Sequence, residues 1–154
     1  MKIYLMQHGK PVSKEEDPDK PLSEQGREEV GRVAQFLKRC DITIDEILHS
    51  GKTRARQTAE IVMSSLNPGE TPKEKGGLSP LDDVKEIARQ INGSRKDLLI
   101  AGHLPHLGKL VSQLVAGSDT IPIVSFQQGG VVCLERGERD EWAISWMLVP
   151  HIIK

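Results

Sequence analysis

The chain has 154 residues, of which 37% are apolar, 28% charged and 3% aromatic, and its formal net charge is −1. This balance excludes the disordered, collagen-like and membrane classes, and the length fits one domain, which we expect to span residues 1–154. Because aromatic side chains for base stacking are scarce and the charge is near zero, we expect no nucleic-acid binding, and any anion-binding site must be local.

The two cysteines and the apolar runs indicate a cellular compartment. Cys40 and Cys133 are far apart and not in a CxxC pattern, which is typical of reduced thiols in a cytosolic protein. The apolar run at the N-terminus is too short for a signal peptide, and no run of about 18 apolar residues follows it. We therefore expect a cytoplasmic protein that does not enter a membrane.

Apolar runs and helical periodicity alternate along the chain. The predicted elements, in chain order, are a strand over residues 3–6, a helix capped by Ser23 that ends near Cys40, a strand over residues 44–49, a helix with the apolar stripe Ala55, Ala59, Val62 and Leu66, a helix over residues 84–91, a strand over residues 98–101, a helix over residues 107–115, and a hairpin of strands 131–134 and 142–148. This order predicts the α/β class in three layers (α/β/α), with a mostly parallel central sheet and helices on both faces.

The residues that directly follow the apolar runs are the candidates for chemistry, because ligands of open α/β sheets bind at the carboxyl ends of the strands. Those residues are Gln7-His8-Gly9, His49-Ser50-Gly51 and Gly102-His103, and Arg54 follows Ser50 one helical turn later. Glycine allows a ligand to approach the backbone, and imidazole can attack or protonate a substrate near neutral pH. A single histidine at a strand end is usually structural, but the combination favours one shared site.

Four segments have an order and spacing that resemble a known family. They are Leu5-Met6-Gln7-His8-Gly9, Pro21-Leu22-Ser23-Glu24-Gln25-Gly26, Ser50-Gly51-Lys52-Thr53-Arg54-Ala55-Arg56-Gln57-Thr58-Ala59 and Gly102-His103-Leu104-Pro105. With them the chain resembles, over nearly its whole length, the histidine phosphatase superfamily, also called the phosphoglycerate mutase-like group. Within that superfamily it is most similar to the small SixA-like phosphohistidine phosphatase branch.

The resemblance implies the phosphoglycerate mutase-like fold and a phosphatase that acts through a covalent phosphohistidine, with no metal or other cofactor. His8 is the implied nucleophile, Arg54 the clamp on the phosphoryl oxygens, and His103, cationic when phosphate is bound, the group that neutralises charge on the opposite side. Gln7, Gly9 and Ser50 are implied to contact the substrate.

The sequence departs from the family pattern at several positions. Gln7 stands where the family has an arginine; it can donate hydrogen bonds but has no charge, and loss of one charged hydrogen bond weakens binding by about 10- to 150-fold. Lys10, where many relatives are acidic, and Lys52 are near enough in sequence to restore the charge, or are ordinary surface lysines. Gly51 replaces the usual proline.

Two further residues are candidates for substrate contact. Asp83 aligns with the acidic position of several family members, as a general acid or as a carboxylate in the first turn of the third helix. A phosphoramidate needs little help from such an acid because protonated imidazole leaves readily, so weak evidence for an acid favours a phosphohistidine substrate. His106 is expected at the rim of the pocket or on the surface, where it could touch the substrate.

Other sites fit the sequence less well. Gly51-Lys52-Thr53 is similar to the end of a P-loop, but Glu46 stands where that motif needs glycine, and its carboxylate would repel phosphate. His103 and His106 are three residues apart but lack the carboxylates of a metal site. We interpret Arg56 as a solvated charge, and His49 and His151 as structural or exposed.

The expected function is hydrolysis of phosphohistidine on a protein, in signal transduction. The alternatives are a small-molecule phosphomonoesterase and a weakly active or inactive phosphate-binding regulatory module, the latter because Gln7 replaces the family arginine. The stretches between the motifs contain no insertion of the size of a lid, which favours a bulky, protein-borne substrate.

Overall fold

A computed structural model describes residues 1–153. The elements are β1 (Lys2–Gln7), α1 (Glu24–Arg39), β2 (Glu46–His49), α2 (Thr53–Leu66), β3 (Lys73–Glu74), α3 (Lys85–Gly93), β4 (Leu98–Gly102), α4 (His106–Ala116), β5 (Val131–Arg136), β6 (Trp142–Leu148) and a 3-10 turn, Pro150–Ile152. All the predicted helices and strands are present, and Ser23 caps α1 by accepting the Gly26 N–H at 3.0 Å. The sequence did not predict β3, because two exposed residues show no periodicity; pairing with β2 makes them a strand.

The six strands form one sheet in the order β3-β2-β4-β1-β5-β6. The pairs β3-β2, β2-β4 and β4-β1 are parallel, while β1-β5 and β5-β6 are antiparallel. The predicted hairpin is therefore the antiparallel edge of a sheet whose other strands run parallel.

The sheet separates two aliphatic cores. Side chains of α3 and α4, such as Ile91 and Leu110, pack with Leu5 and Ile100 on one face. Side chains of α1 and α2, such as Val33 and Val62, pack on the other face. Helices thus cover both faces, as the three-layer prediction requires, and alternation of β1 residues between the two cores explains its continuous apolar run.

The strand order determines which residues meet. Because β2, β4 and β1 are neighbours and parallel, their carboxyl ends lie in a row at one edge of the sheet, in the order Ser50, His103, His8. Within residues 1–153, no helix has both the length and the apolar character needed to span a membrane.

Candidate active site

His8 directly follows β1, and the backbone on both sides holds it in place. Its N–H donates to the carbonyl of Gly102 at 3.0 Å, at the end of β4. The N–H of Gly129 donates to the carbonyls of Gln7 and His8 at 3.0 and 3.2 Å. The side chain is 8% exposed. His8 is therefore fixed between the end of β4 and the segment that precedes β5.

One ring nitrogen of His8 is engaged, which leaves the other for chemistry. Nδ1 lies 2.7 Å from the carbonyl oxygen of Gly9, and because a carbonyl only accepts, Nδ1 carries the proton and donates it. The lone pair is then on Nε2. Burial lowers the pKa of His8 to about 4; the Gly9 hydrogen bond opposes this shift, and the charges of Arg54 and Lys20 add to it. His8 is consequently an uncharged imidazole at neutral pH, as a nucleophile must be.

His103 faces His8 across the site. The two ring centroids are 5.2 Å apart, and His103 is 1% exposed. Its Nε2 forms a hydrogen bond of 2.7 Å with Oγ of Ser50, while its buried Nδ1 has no hydrogen-bond partner among residues 1–153. Burial lowers the pKa of His103 to about 3, and repulsion from His8 when it is protonated, and from Arg54 and Lys52, contributes to this shift. His103 is thus neutral in this structure, and an anion beside it would raise its pKa towards the cationic state.

Arg54 lies in the first turn of α2 and supplies positive charge to both histidines. It lowers the pKa of His8 and of His103, and burial lowers its own pKa. Its Nε is buried and has no partner within the described part of the chain. A half-buried guanidinium that has a free Nε donor, and whose charge acts on two imidazoles, is suited to bind the oxygens of an anion.

Thr58, one turn further along α2, was not singled out as a site residue from the sequence. Its Oγ1 accepts the Gly9 N–H at 3.1 Å and donates to the carbonyl of Arg54 at 2.8 Å. The threonine therefore joins the segment after His8 to the helix that carries Arg54. The sequence could have indicated this role, because Thr58 belongs to one of the four family-like segments.

The motif glycines are required for close packing. A Cβ on Gly9 would lie 2.7 Å from Cγ2 of Val30, and one on Gly26 would overlap the carbonyl oxygen of Lys10. The start of α1 is thereby packed directly on the backbone after His8. Since the Gly9 N–H is bonded to Thr58, the predicted contact of Gly9 with substrate is not made through that group.

Two other motif residues also act as scaffold. Oε1 of Gln57 accepts the N–H of Leu22 at 2.7 Å, which ties α2 to the segment that opens α1. Gly51 has φ of +92°, a conformation that proline cannot adopt. The replacement of the family proline by glycine thus has a local backbone reason.

Gln7 is the last residue of β1 and is 9% exposed. Its Oε1 is buried and has no hydrogen-bond partner among residues 1–153. The side chain at this position, next to His8 in the chain, is therefore an amide without charge.

Lys20 is a second residue that sequence analysis missed. It is half-buried, and its charge lowers the pKa of His8. The charged stretch around it has no periodicity, so the sequence indicated only a solvated loop.

The two lysines that the sequence proposed as sources of positive charge are both exposed. The Nζ of Lys10 lies 3.4 Å from Oε1 of Gln25. Lys52 is exposed, but its charge acts on His103.

The structure places the two remaining candidates differently. Asp83 is exposed, and its Oδ1 accepts the N–H of Lys85 at 2.8 Å, so the carboxylate lies just before α3 and stabilises its start. The prediction of a rim or surface position for His106 is wrong: it is 0% exposed, and its Nε2 donates to the carbonyl of Gly77 at 2.8 Å. It is buried because it begins α4 under the loop that precedes α3.

The residues of the alternative sites have structural roles. Glu46 accepts from Lys73 at 3.2 Å and from Lys96 at 2.8 Å, so it belongs to an ion-pair group. Arg56 pairs with Glu60 at 3.7 Å on the surface, as a solvated charge does. Nδ1 of His49 accepts the Gly51 N–H at 3.0 Å, and burial lowers the pKa of His49. Within residues 1–153 no three His, Cys, Asp or Glu side chains are arranged to hold a metal ion.

The chain is similar in sequence to a known protein family and to individual proteins. The family model of the histidine phosphatase superfamily (branch 1) matches residues 3–80. The phosphohistidine phosphatase SixA of Escherichia coli strain K12 is 28% identical over 159 aligned positions, which cover 100% of this chain and 97% of that protein. An uncharacterized protein of Picosynechococcus is 29% identical and covers 89% of this chain and 86% of its own length.

Solved structures share the fold. The protein histidine phosphatase SixA complexed with tungstate superimposes with a TM-score of 0.88 at 26% identity, with 100% of both chains covered. A phosphoserine phosphatase of Entamoeba histolytica in complex with phosphoserine has a TM-score of 0.75 at 14% identity over 97% of both chains, a likeness of fold alone.

Proposed function

This chain is a phosphatase that belongs to the histidine phosphatase superfamily (branch 1), and we propose that it hydrolyses phosphohistidine carried by a protein. The observation that carries the mechanism is the state of His8: Nδ1 donates to the Gly9 carbonyl, burial keeps the ring uncharged, and Nε2 retains its lone pair. The substrate class rests on similarity over the full length to relatives named phosphohistidine phosphatase.

In the first step, Nε2 of His8 attacks the phosphorus of the substrate in line. The new P–N bond forms on His8 as the P–N bond to the substrate imidazole breaks, and that imidazole leaves as a neutral ring because its other nitrogen already carries a proton. Arg54 and His103 hold the phosphoryl oxygens, and the anion raises the pKa of His103 so that it becomes cationic. The mechanism assigns no step to Asp83.

In the second step, water attacks the phosphorus of phosphorylated His8. The bond from phosphorus to Nε2 breaks, inorganic phosphate leaves, and the neutral imidazole is restored. Gly9 and Thr58 hold the nucleophile and Arg54 in register through both steps. Tungstate, which one relative binds, is a tetrahedral oxyanion like phosphate, and we propose that this site takes the same shape of ligand.

Gln7 sets the level of activity. A neutral amide beside His8 supplies no charged hydrogen bond, so we propose that binding of the phosphoryl group is weaker by about 10- to 150-fold than with an arginine there. Lys20 and Lys52, whose charges reach His8 and His103, supply part of the missing potential. A phosphate-binding regulatory module with little turnover is the second candidate function, and the identity of Gln7 favours it.

The proposal extends to the whole chain. Residues 1–154 would form one histidine phosphatase domain that needs no metal and acts in the cytoplasm on a phosphorylated protein of a signalling pathway. The third candidate, a small-molecule phosphomonoesterase, is less favoured because the chain between α2 and β4 contains only β3, α3 and their loops.

The test is trapping of the intermediate on His8. A protein phosphorylated on histidine with ³²P is mixed with the wild type, and both released phosphate and label on the enzyme are followed over time. We expect phosphate release and transient labelling in the wild type and in His151→Ala, a control at an exposed histidine, and neither in His8→Ala. Equal behaviour of the wild type and His8→Ala would contradict the proposal, and binding of phosphate without turnover would support the regulatory module.

A further inference from the structure

A groove of about 380 Å³ starts at Leu104, the residue after His103. We call it the α4 groove; it is lined by Leu104, Pro105, Gly108, Lys109, Ser112 and residues 119–124. Leu104, Ile121 and Ile123 are 40%, 47% and 36% exposed, and these are three of the seven large apolar side chains that are substantially exposed among residues 1–153. Three exposed apolar side chains thus line one groove.

Both walls of the α4 groove are continuous with the catalytic residues. Leu104 directly follows His103, and the N–H of Leu107 donates to the His103 carbonyl at 2.8 Å, so the helical wall starts at the catalytic histidine. The opposite wall, residues 119–124, continues to Gly129, whose N–H donates to the carbonyls of Gln7 and His8. One end of the groove therefore lies one residue along the chain from His103.

The groove is a built feature of the fold. The single hydroxyl proton of Ser112, on α4, is shared between the carbonyls of Gly108 and Ile121, and this contact fastens one wall to the other. Val124 packs against the core under the same segment. Ile121 and Ile123 are thus held outward by a wall that is itself anchored, rather than by a free loop.

We propose that the α4 groove docks the protein that carries the phosphohistidine, by accepting apolar side chains that flank the phosphorylated residue. This proposal rests on the proposed function. From Pro105, the N-cap of α4, to Ser112 the helical wall extends about 10 Å, longer than a phosphorylated imidazole, so the groove can contact neighbouring residues of a substrate whose phosphoryl group lies at His8. The groove contains one lysine and one carboxylate, Lys109 and Asp119, so apolar contact dominates the docking.

A second copy of this chain fits the α4 groove less well. The groove starts one residue after His103, and a second copy seated there would lie beside the site without contributing to its chemistry. A phosphorylated protein gains from the same contact, because docking places its phosphohistidine at the nucleophile.

The experiment compares two double variants with two substrates. Ile121→Ser/Ile123→Ser alters the groove, and Ile144→Ser/Met147→Ser is the matched control on β6, where the side chains are 40% and 39% exposed. The substrates are a folded histidine-containing phosphotransfer domain phosphorylated with phosphoramidate, and N-phosphoimidazole. We expect the groove variant to raise KM for the protein by about tenfold with kcat unchanged, and to leave turnover of N-phosphoimidazole at the wild-type level. The control variant should behave as the wild type with both substrates.

Each other outcome has a defined meaning. An unchanged KM for the protein overturns the docking proposal, as does a change from dimer to monomer in the groove variant. If the wild type hydrolyses neither substrate, the proposed function fails instead. If the groove variant does not fold, hydrogen exchange of His8→Ala with the phosphorylated domain decides: protection of residues 104–112 and 119–124 supports docking, and its absence overturns it.

Discussion

The backbone N–H of Gly9 donates a hydrogen bond of 3.1 Å to Oγ1 of Thr58, and this bond joins the two sides of the candidate site. Gly9 follows the proposed nucleophile His8, and Thr58 lies one turn after Arg54 on α2. Thr58 is 0% exposed, so no water can replace its hydroxyl without rearrangement. The position of the guanidinium relative to the imidazole depends on this buried contact.

Replacement of Thr58 by valine, which has a similar shape, tests that dependence. Thr58→Val leaves the buried Gly9 N–H without its acceptor, so we expect the free energy of unfolding to fall by about 1–3 kcal/mol. We also expect kcat to fall by about tenfold or more, because Arg54 and His8 lose their fixed separation. Urea unfolding and single-turnover kinetics measure the two effects. Thr58→Ser retains the hydroxyl and should restore most of the activity; wild-type behaviour of Thr58→Val would contradict this role.

Gln7→Arg restores the residue that the family has at this position. We expect kcat/KM for a phosphohistidine protein to rise by about 10- to 150-fold, since a charged, bidentate donor is added beside the phosphoryl group. Without a bound anion, the new charge lies near Arg54 and Lys20, so the stability of the free protein should fall. Gln7→Lys adds the positive charge without the paired N–H donors of a guanidinium, so it should recover only part of the increase in kcat/KM. An unchanged rate in Gln7→Arg would mean that other cations already supply the charge.

The buried histidines make stability dependent on pH. The pKa values of His8 and His103 are lowered to about 4 and about 3, from 6.5 for a free imidazole, so the unfolded chain binds more protons between these values. Their contribution is fully present above pH 6.5 and is lost as the pH falls towards the folded-state pKa values. We expect the free energy of unfolding to fall by on the order of 1–2 kcal/mol per histidine between about pH 7 and about pH 5.

Urea unfolding over that pH range, with and without inorganic phosphate, measures this loss. Phosphate should reduce it, because an anion beside His103 raises the pKa of that group. The difference in the free energy of unfolding between the wild type and His8→Gln, followed over pH, separates the contribution of His8 from that of the carboxylates. A difference that does not vary with pH would show that His8 titrates as a free imidazole does.

Gly51→Pro introduces the family proline into a backbone that cannot accept it. Gly51 has φ of +92°, whereas proline is confined near −65°. We expect a loss of stability of about 1–3 kcal/mol, together with lower activity, because Ser50 would move relative to His103. Gly31→Ala is a control of opposite sign: a Cβ there meets nothing within 4 Å in the helix interior, and stability should rise by about 0.5–1 kcal/mol. Normal stability of Gly51→Pro would show that this loop readily adopts the family conformation.

The sequence by itself determined all the elements except β3 and the final 3-10 turn, and it placed His8, Ser50, Arg54 and His103 at the ends of those elements. Hydrophobic periodicity indicates which face of a segment is buried, and it can be recognised from the residues of that segment alone. Because His8, Ser50 and His103 end strands predicted to be parallel, their gathering at one edge followed from the fold class. The family-like segments contain Thr58 and Gln57 as well, but the motif does not indicate which groups these two side chains contact.

The tertiary structure decided what those side chains contact. The order β2-β4-β1 places His103 between Ser50 and His8. Local sequence patterns predict the strands but not their order in the sheet. Packing of α4 under the loop before α3 buries His106, and Lys20 comes to act on His8 from a loop without periodicity. Such contacts join residues distant along the chain, and their geometry depends on all the elements that pack around them, so no local pattern encodes it.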